Sequence, residues 1–361
     1  MPRELIAVEP GVMELKEYEE PELGRNEVRI QTEFASPKHG TESHGVMGDS
    51  PFENAYFDDE YRIFIPREEK KKRFPMHVGN MGTGVITETG PEVSRFKAGD
   101  RVYGHMQIRE TQTVHELGRG KGSVGMGSGV RESRLHKLPE HMSAEQAVLL
   151  DPGHFALAAV RDANIRVGEW VAVYGLGAIG LMITQMVSLS GAERVIAVDP
   201  LAKRRDMAEK LGAELTLDPN ECDAGYEIKK TTGKKGVDVA VDASGSYHAL
   251  QAAIRSVHYC GLVVTCSYYK GQGTPLRLDS EFFIERITVR ASMPVWGNPS
   301  RDYPMWDDER IEDTVYRLML DGKLQTDGFI DPVYPFDRAV EGYSLIHEHP
   351  EKCIKLGIDF L

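Results

Sequence analysis

Over the first 150 residues, hydrophobic and polar positions alternate in short runs such as Val28-Arg29-Ile30-Gln31, broken by turn signals such as Lys97-Ala98-Gly99-Asp100 ahead of Arg101-Val102-Tyr103. Period-two runs with frequent turns predict small antiparallel or barrel-like β pieces. From about residue 165 the texture changes to continuous apolar runs at Trp170 to Tyr174, Arg194 to Val198, Val237 to Val241, Gly261 to Thr265 and Ile287 to Val289. Helix-length segments separate them, which predicts a parallel α/β sheet covered on both faces.

Beyond Val295 the pattern changes again. Asp307 and Asp308 open an amphipathic helix with Ile311, Val315, Leu318 and Met319 on one face, and Gly322 stops it. The acids complement the positive end of the helix. A strand over Phe329 to Phe336, a helix from Asp337 to about His347 and a strand around Ile354 to Ile358 complete a tail that is expected to return to the first domain. The organisation expected is therefore a β-rich domain over 1–155, completed by 300–361, with a doubly wound parallel α/β domain over 156–299. No internal repeat is present.

One motif stands in register with this pattern. Val171-Ala-Val-Tyr-Gly175-Leu176-Gly177-Ala178-Ile179-Gly180 places GxGxxG directly after an apolar strand and at the opening of an apolar helix. Gly175 would allow the tight turn, Gly177 a close approach of backbone to a pyrophosphate, and Gly180 close helix-to-strand packing, while the free amides of the helix start face the anion. Asp199 ends the next strand, at about the interval expected of the acid that binds ribose hydroxyls. A carboxylate there favours NAD over NADP, although Lys203, Arg204 and Arg205 lie close by.

Composition narrows the classes. The chain has 361 residues, 43 Lys and Arg against 56 Asp and Glu, and a net charge of −13. No basic stripe is present apart from the short run Lys70-Lys71-Lys72-Arg73, so phosphate neutralisation along a nucleic acid is not expected. No apolar stretch reaches membrane-spanning length and residues 1–10 do not read as a signal peptide, which predicts a cytoplasmic protein with no membrane partner. The four cysteines, at 222, 260, 266 and 353, form no CxxC pair and are expected as reduced, mostly buried thiols.

The segment from Asn164 to Gly180, with Arg95-Phe-Lys-Ala-Gly-Asp-Arg-Val-Tyr-Gly104 and the tail around Leu320-Asp-Gly-Lys-Leu324, resembles the medium-chain alcohol/polyol dehydrogenase family over nearly the whole chain. The resemblance implies a GroES-like catalytic domain interrupted by a Rossmann domain. It also implies a homodimer or homotetramer joined partly through the nucleotide domain, with Ile287 to Ser292 as an edge strand. The usual zinc ligands are altered: His39-Gly-Thr-Glu42 stands for Cys-Gly-Thr-Asp, Gly79-Asn80-Met81 for Gly-His-Glu, and Asp151 for the acid or cysteine before the second domain. Asn80 is a poor zinc ligand, so a catalytic zinc is not expected; His39 and Asp151 are the ligands that would remain. The four-cysteine structural zinc lobe is replaced by a glycine-rich stretch, Gly118 to Gly129.

These departures, with Val160-Arg-Asp-Ala-Asn164 and Arg301-Asp-Tyr303-Pro-Met-Trp306, resemble the bacterial D-guloside 3-dehydrogenase branch. That implies a pyranoside substrate oxidised at C3. His39 is expected to handle the hydroxyl proton, since its ordinary pKa lies near working pH and it occupies the place of the family's metal-binding cysteine. Lys38 either polarises the alkoxide or is a solvated loop lysine. Thr41 and His44 match a hydroxyl-to-histidine relay, Glu42 and Asp151 would orient His39, and Asn80 would bond a sugar hydroxyl or satisfy buried backbone. The stretch of 41 residues from His39 to Asn80 carries Phe52, Tyr56, Phe57, Tyr61 and Phe64, a loop for a sugar ring or for packing across a subunit boundary. Two other functions remain open, a zinc-dependent polyol or threonine-type dehydrogenase and a non-catalytic NAD-binding member.

Overall fold

The computed structural model describes residues 1–48, 50, 53–58, 60–69, 73–117, 135–269, 272–294 and 305–361. Lys70 to Lys72, Phe52, the Gly118 to Gly129 stretch and Arg301 to Tyr303 lie outside them. The chain divides into two compact units, Met1–Leu149 with Asp327–Leu361, and Leu150–Thr326.

The first unit is built on the alternation seen along its sequence. Glu27–Ser36 forms its longest strand and pairs antiparallel with Met81–Thr89, Thr111–His115 and the C-terminal strand Lys355–Asp359. Arg101–His105 and His136–Lys137 extend the sheet on one side and Ile330–Pro335 on the other. The helix Ala339–Glu348 connects Ile330–Pro335 to Lys355–Asp359, which run parallel as a βαβ crossover requires. A smaller sheet joins Val12–Glu17, Arg3–Glu9 and Met76–His77. Leu5, Val46, Val78, Ile108, Phe336, Tyr343, Leu356 and Ile358 fill the core where the two sheets and the last helix meet.

The second unit is a six-stranded parallel sheet in the order Leu215–Leu217, Arg194–Val198, Trp170–Tyr174, Val237–Asp242, Val257–Thr265, Thr288–Ala291. The order reverses at Trp170–Tyr174, the strand that carries the glycine motif, and such a switch point is where open α/β sheets bind ligands. Thr288–Ala291 is an exposed edge strand, as expected.

The division of the chain differs from the sequence reading at both junctions. Residues 150–155 and 305–326 belong to the second unit because the helix Leu150–Ala163 packs against both Ala178–Leu189 and Asp308–Leu320. At their contact a Cβ on Gly153 would stand 2.4 Å from Val315 Cγ1, so only glycine admits this approach. Asp307 caps the helix through its side chain, accepting from Arg310 N, and Ile311, Val315 and Met319 are buried. Burial of each such side chain contributes about 1.5–3 kcal/mol, enough to hold the helix there. Leu318 is only half-buried. The tail from Asp327 belongs to the first unit. The cysteines depart in part from expectation: all are free, Cys353 is buried and Cys222 and Cys266 are half-buried, but Cys260 is exposed, with φ of 60° in the irregular first half of its strand.

Candidate active site

In the second unit the glycines do what their spacing asks. Gly175 has φ of +82° directly after Tyr174, and its N–H donates to Val198 O at 2.9 Å. Gly180 lies so close to the turn that a Cβ would stand 1.8 Å from Gly175 O. At Gly177 a Cβ would meet nothing within 4 Å, so the helix start Ala178–Leu189 is open to an approaching group. Ala178 and Ile179 are half-buried at that opening and Leu176 is fully buried beneath it. The loop fits a dinucleotide pyrophosphate on the observation of this open cradle.

Asp199 is buried and its two oxygens are already employed. Oδ2 accepts from Leu176 N at 2.7 Å, within the glycine loop, and Oδ1 accepts from Leu201 N at 2.9 Å. A carboxylate has about four acceptor sites, so ribose hydroxyls can still be received. Asp199 thus shapes the loop as well as presenting a charge. Arg204 Nη1 stands 3.8 Å from Oδ2, while Arg205 donates to Asp199 O at 2.7 Å and pairs with Asp218 at 2.9 Å.

In the first unit the candidate residues gather between three elements. His39 follows the strand Glu27–Ser36, and its Nε2 accepts from Leu356 N at 3.0 Å. That contact takes the Nε2 lone pair, so the neutral ring carries its proton on Nδ1. Ser36 Oγ donates to Leu356 O at 2.7 Å and the buried Lys355 donates from Nζ to Pro37 O at 2.7 Å. Three bonds therefore fasten the Ser36 to His39 segment to the C-terminal strand.

Glu42 sits in the first turn of the helix Thr41–Met47. Oε2 accepts from Gly79 N at 2.8 Å and Oε1 from Tyr343 OH at 2.8 Å. Burial pushes its carboxyl above the usual range, against the pull of those two donors and of the Lys355 charge. Tyr343 is pushed well up by burial and by the carboxylate beside it, so it stays a neutral donor. Asn80 is buried, its N–H donating to Ser36 O at 3.1 Å and its carbonyl accepting from Met106 N at 3.2 Å and, at 3.0 Å, standing beside His105 Nδ1. Its backbone is thereby fixed beside the same strand end.

His39, Glu42 and Asn80 are thus brought to one place in the first unit, with Lys38, half-buried, next in sequence. Thr41 is exposed and His44 half-buried, one turn apart on the same helix. Asp151 is buried in the first turn of Leu150–Ala163 and belongs to the second unit. Tyr343, Lys355 and His105 were missed by sequence reasoning. A lysine inside the apolar run Cys353-Ile354-Lys355-Leu356 is a signal that could have found one of them; Tyr343 reads simply as one more apolar helix position. Four of the five loop aromatics fall on an isolated hairpin, Ala55–Asp58 paired with Ile63–Pro66. Phe57 and Phe64 meet edge to face at 5.2 Å, while Tyr56, Tyr61 and Phe64 are exposed.

The donor set in the first unit does not suit a resident zinc. The Nε2 of His39 is taken by an amide, both Glu42 oxygens accept from other groups, and Asn80 offers an amide where imidazole or thiolate is wanted. Among the described residues no group of three or more His, Cys, Asp or Glu side chains is gathered for a metal ion. No helix among them is long and apolar enough to cross a membrane.

Residues 178–307 match the zinc-binding dehydrogenase family model and residues 53–140 the alcohol dehydrogenase GroES-like domain. The chain is 37% identical to the D-guloside 3-dehydrogenase of Escherichia coli K12 over 99% of its own length and 100% of that protein. In fold it is similar to 2R,3R-butanediol dehydrogenase from Bacillus subtilis, with a TM-score of 0.73 and 24% identity across 99% of both chains. A zinc-binding dehydrogenase from Sinorhizobium meliloti 1021 solved with NADP gives a TM-score of 0.75 at 18% identity, again across 99% of both. With a GroES-like unit, a parallel sheet switching at its glycine loop and full-length identity of this order, the chain belongs to the zinc-type medium-chain dehydrogenases, a family of NAD(P)-binding oxidoreductases.

Proposed function

We propose that this protein oxidises a secondary ring hydroxyl, C3 of a pyranoside such as a D-guloside, to the 3-keto sugar with NAD as cofactor. The observation that carries the reading is the polar cluster of His39, Glu42, Tyr343 and Lys355 gathered at one strand end of the first unit. The full-length identity to a D-guloside 3-dehydrogenase supports the substrate class. A nicotinamide dinucleotide, when bound, supplies the acceptor for the hydride. Gly175 to Gly180 would hold its pyrophosphate and Asp199 its ribose, with Arg204 beside the carboxylate.

Proton handling falls to His39, and its contact with Leu356 sets the terms. With Nε2 engaged, the proton of the neutral ring is on Nδ1, the kind of donor that holds a substrate oxygen as charge develops on it. Taking the hydroxyl proton requires Nε2 to exchange the Leu356 amide for that proton. Glu42 keeps the helix Thr41–Met47 against Gly79 and so fixes the segment on which His39, Lys38, Thr41 and His44 are carried. Lys38 adds positive charge near the developing alkoxide, Asn80 offers a partner to a sugar hydroxyl, and the aromatic hairpin offers faces to the apolar side of a sugar ring. The enzyme works as a cytoplasmic homo-oligomer in this reading.

The test is turnover of NAD on a panel of alkyl pyranosides, with the product trapped by borodeuteride. Deuterium at C3 is expected, and deuterium at C1 or C6 overturns the regiochemistry. His39→Ala is expected to lower kcat by about 10²-fold or more with cofactor affinity kept. Unchanged turnover in that variant removes His39 from the reaction.

A further inference from the structure

Asp242 ends the strand beside Trp170–Tyr174 on the side away from Asp199, and it is completely buried. Every partner of its carboxylate donates. Oδ1 accepts from Ser244 N at 2.9 Å and from Ser244 Oγ at 2.6 Å, and Oδ2 accepts from Tyr269 OH. Burial raises its carboxyl against the pull of the three donors. The other titratable groups at this strand end stay neutral, since burial pushes the Cys266 thiol and the Tyr269 hydroxyl far up. All three bonds are received by the two oxygens, the pattern of an ionised carboxylate, so the negative charge here is that of Asp242.

This charge is tied directly to the dinucleotide loop. Ala243 N donates to Tyr174 O at 2.8 Å, and the Ser244 backbone passes so near Gly175 that a Cβ there would stand 2.6 Å from Ser244 N. Cys266 N donates to Asp242 O at 3.0 Å, and the Tyr269 ring pairs with Tyr247 at 5.0 Å, so the loop after Val257–Thr265 is fastened to the same carboxylate residue. In a doubly wound sheet the dinucleotide crosses the switch point, with the ribose-binding acid on one wing and the reactive half over the other. Asp199 marks the adenosine wing, which leaves the wing of Asp242 and Thr265 for the nicotinamide.

Resting on the reading that this chain binds a nicotinamide dinucleotide, we propose that Asp242 is an electrostatic positioning residue that favours the oxidised cofactor over the reduced one. The pyridinium ring of NAD is cationic and the dihydropyridine of NADH is neutral. A fixed carboxylate in a poorly solvated wing attracts the first and is indifferent to the second. A purely structural Asp242 would affect both forms alike, because they share every other group.

The experiment measures dissociation constants of the whole protein for NADH, by nicotinamide fluorescence, and for NAD, by competition against it. Asp242→Asn keeps the shape and removes the charge, and is expected to weaken NAD about 5- to 10-fold more than NADH. Tyr269→Phe keeps the charge and is expected to hold the NAD to NADH ratio within about twofold of wild type. Equal weakening of both forms by Asp242→Asn overturns the proposal. So does a wild-type protein that holds NADH more than about 100-fold tighter than NAD, a reading that needs no variant to fold. Wild-type protein that binds neither form instead overturns the cofactor reading beneath it.

Discussion

Glu42 illustrates how a single side chain couples site and stability. Its carboxyl is raised by burial, so the folded state favours the protonated form relative to the unfolded chain. The linked stability is complete below the ordinary carboxylate pKa and is lost as pH rises through the folded value. Glu42→Gln removes that dependence while leaving an oxygen for Gly79 N–H and an amide that the Tyr343 hydroxyl can accept from. Denaturation of both proteins from about pH 5 to about pH 8 is expected to show the variant gaining on wild type as pH rises. A stability difference flat in pH contradicts the burial of the charge. At Asp199 the structure changes what substitution does. Asp199→Ser strips the acceptors from Leu176 N and Leu201 N as well as the ribose partner. Affinity for NAD is expected to fall by about 10-fold or more, with preference moving toward NADP as Arg204 loses its carboxylate. Titration of both cofactors checks it, and an unchanged NAD to NADP ratio removes the discriminating role.

Elements differ in how far the sequence revealed them. Five of the six parallel strands were legible, the central ones because burial on both faces leaves unbroken apolar runs, and their starts and ends fall within a few residues of expectation; the three-residue strand Leu215–Leu217 was not. The helix Thr41–Met47 and the hairpin Ala55–Asp58 with Ile63–Pro66 were not legible, since each is too short for its period to stand out and the helix is closed by tertiary bonds to Gly79 and Tyr343. The long helix Leu150–Ala163 was hidden for the opposite reason: it is buried nearly all round, so no polar stripe marks its period. The short helix before it did leave a local mark. Ser143 and Gln146 form a reciprocal capping box, Ser143 Oγ accepting from Gln146 N and Gln146 Oε1 from Ser143 N, both at 3.1 Å. Ser143→Ala is expected to cost about 1 kcal/mol in denaturant unfolding without affecting cofactor binding, because both bonds lie at the entry to Ala144–Val148 and none reaches the glycine loop. Loss of cofactor affinity in that variant would mean the cap does more than hold the helix.

At the scale of the whole molecule, the two units carry different kinds of information. The cofactor half was readable from spacing alone, because a phosphate loop needs glycines at fixed offsets between a strand and a helix. In the other unit the resemblance singled out His39 and Glu42 but not Tyr343 and Lys355, since the four come together from residues 39–42 and 343–355, about 300 positions apart. That same geometry bears on metal. A zinc site of this family needs three strong ligands left open toward the ion, each held in place by a hydrogen bond from behind. Here His39 would have to surrender its bond to Leu356 N and Glu42 its bonds to Gly79 N and Tyr343 OH, leaving two backbone amides and a hydroxyl without partners. Each such loss costs about 1–3 kcal/mol when buried, which a site with asparagine as its third donor recovers poorly. Turnover is therefore expected to survive prolonged chelation, with substoichiometric zinc by elemental analysis. Stoichiometric zinc whose removal abolishes turnover would restore the zinc-dependent polyol dehydrogenase reading, with His39 and Asp151 as ligands, and would require the Leu356 contact to open in the loaded enzyme.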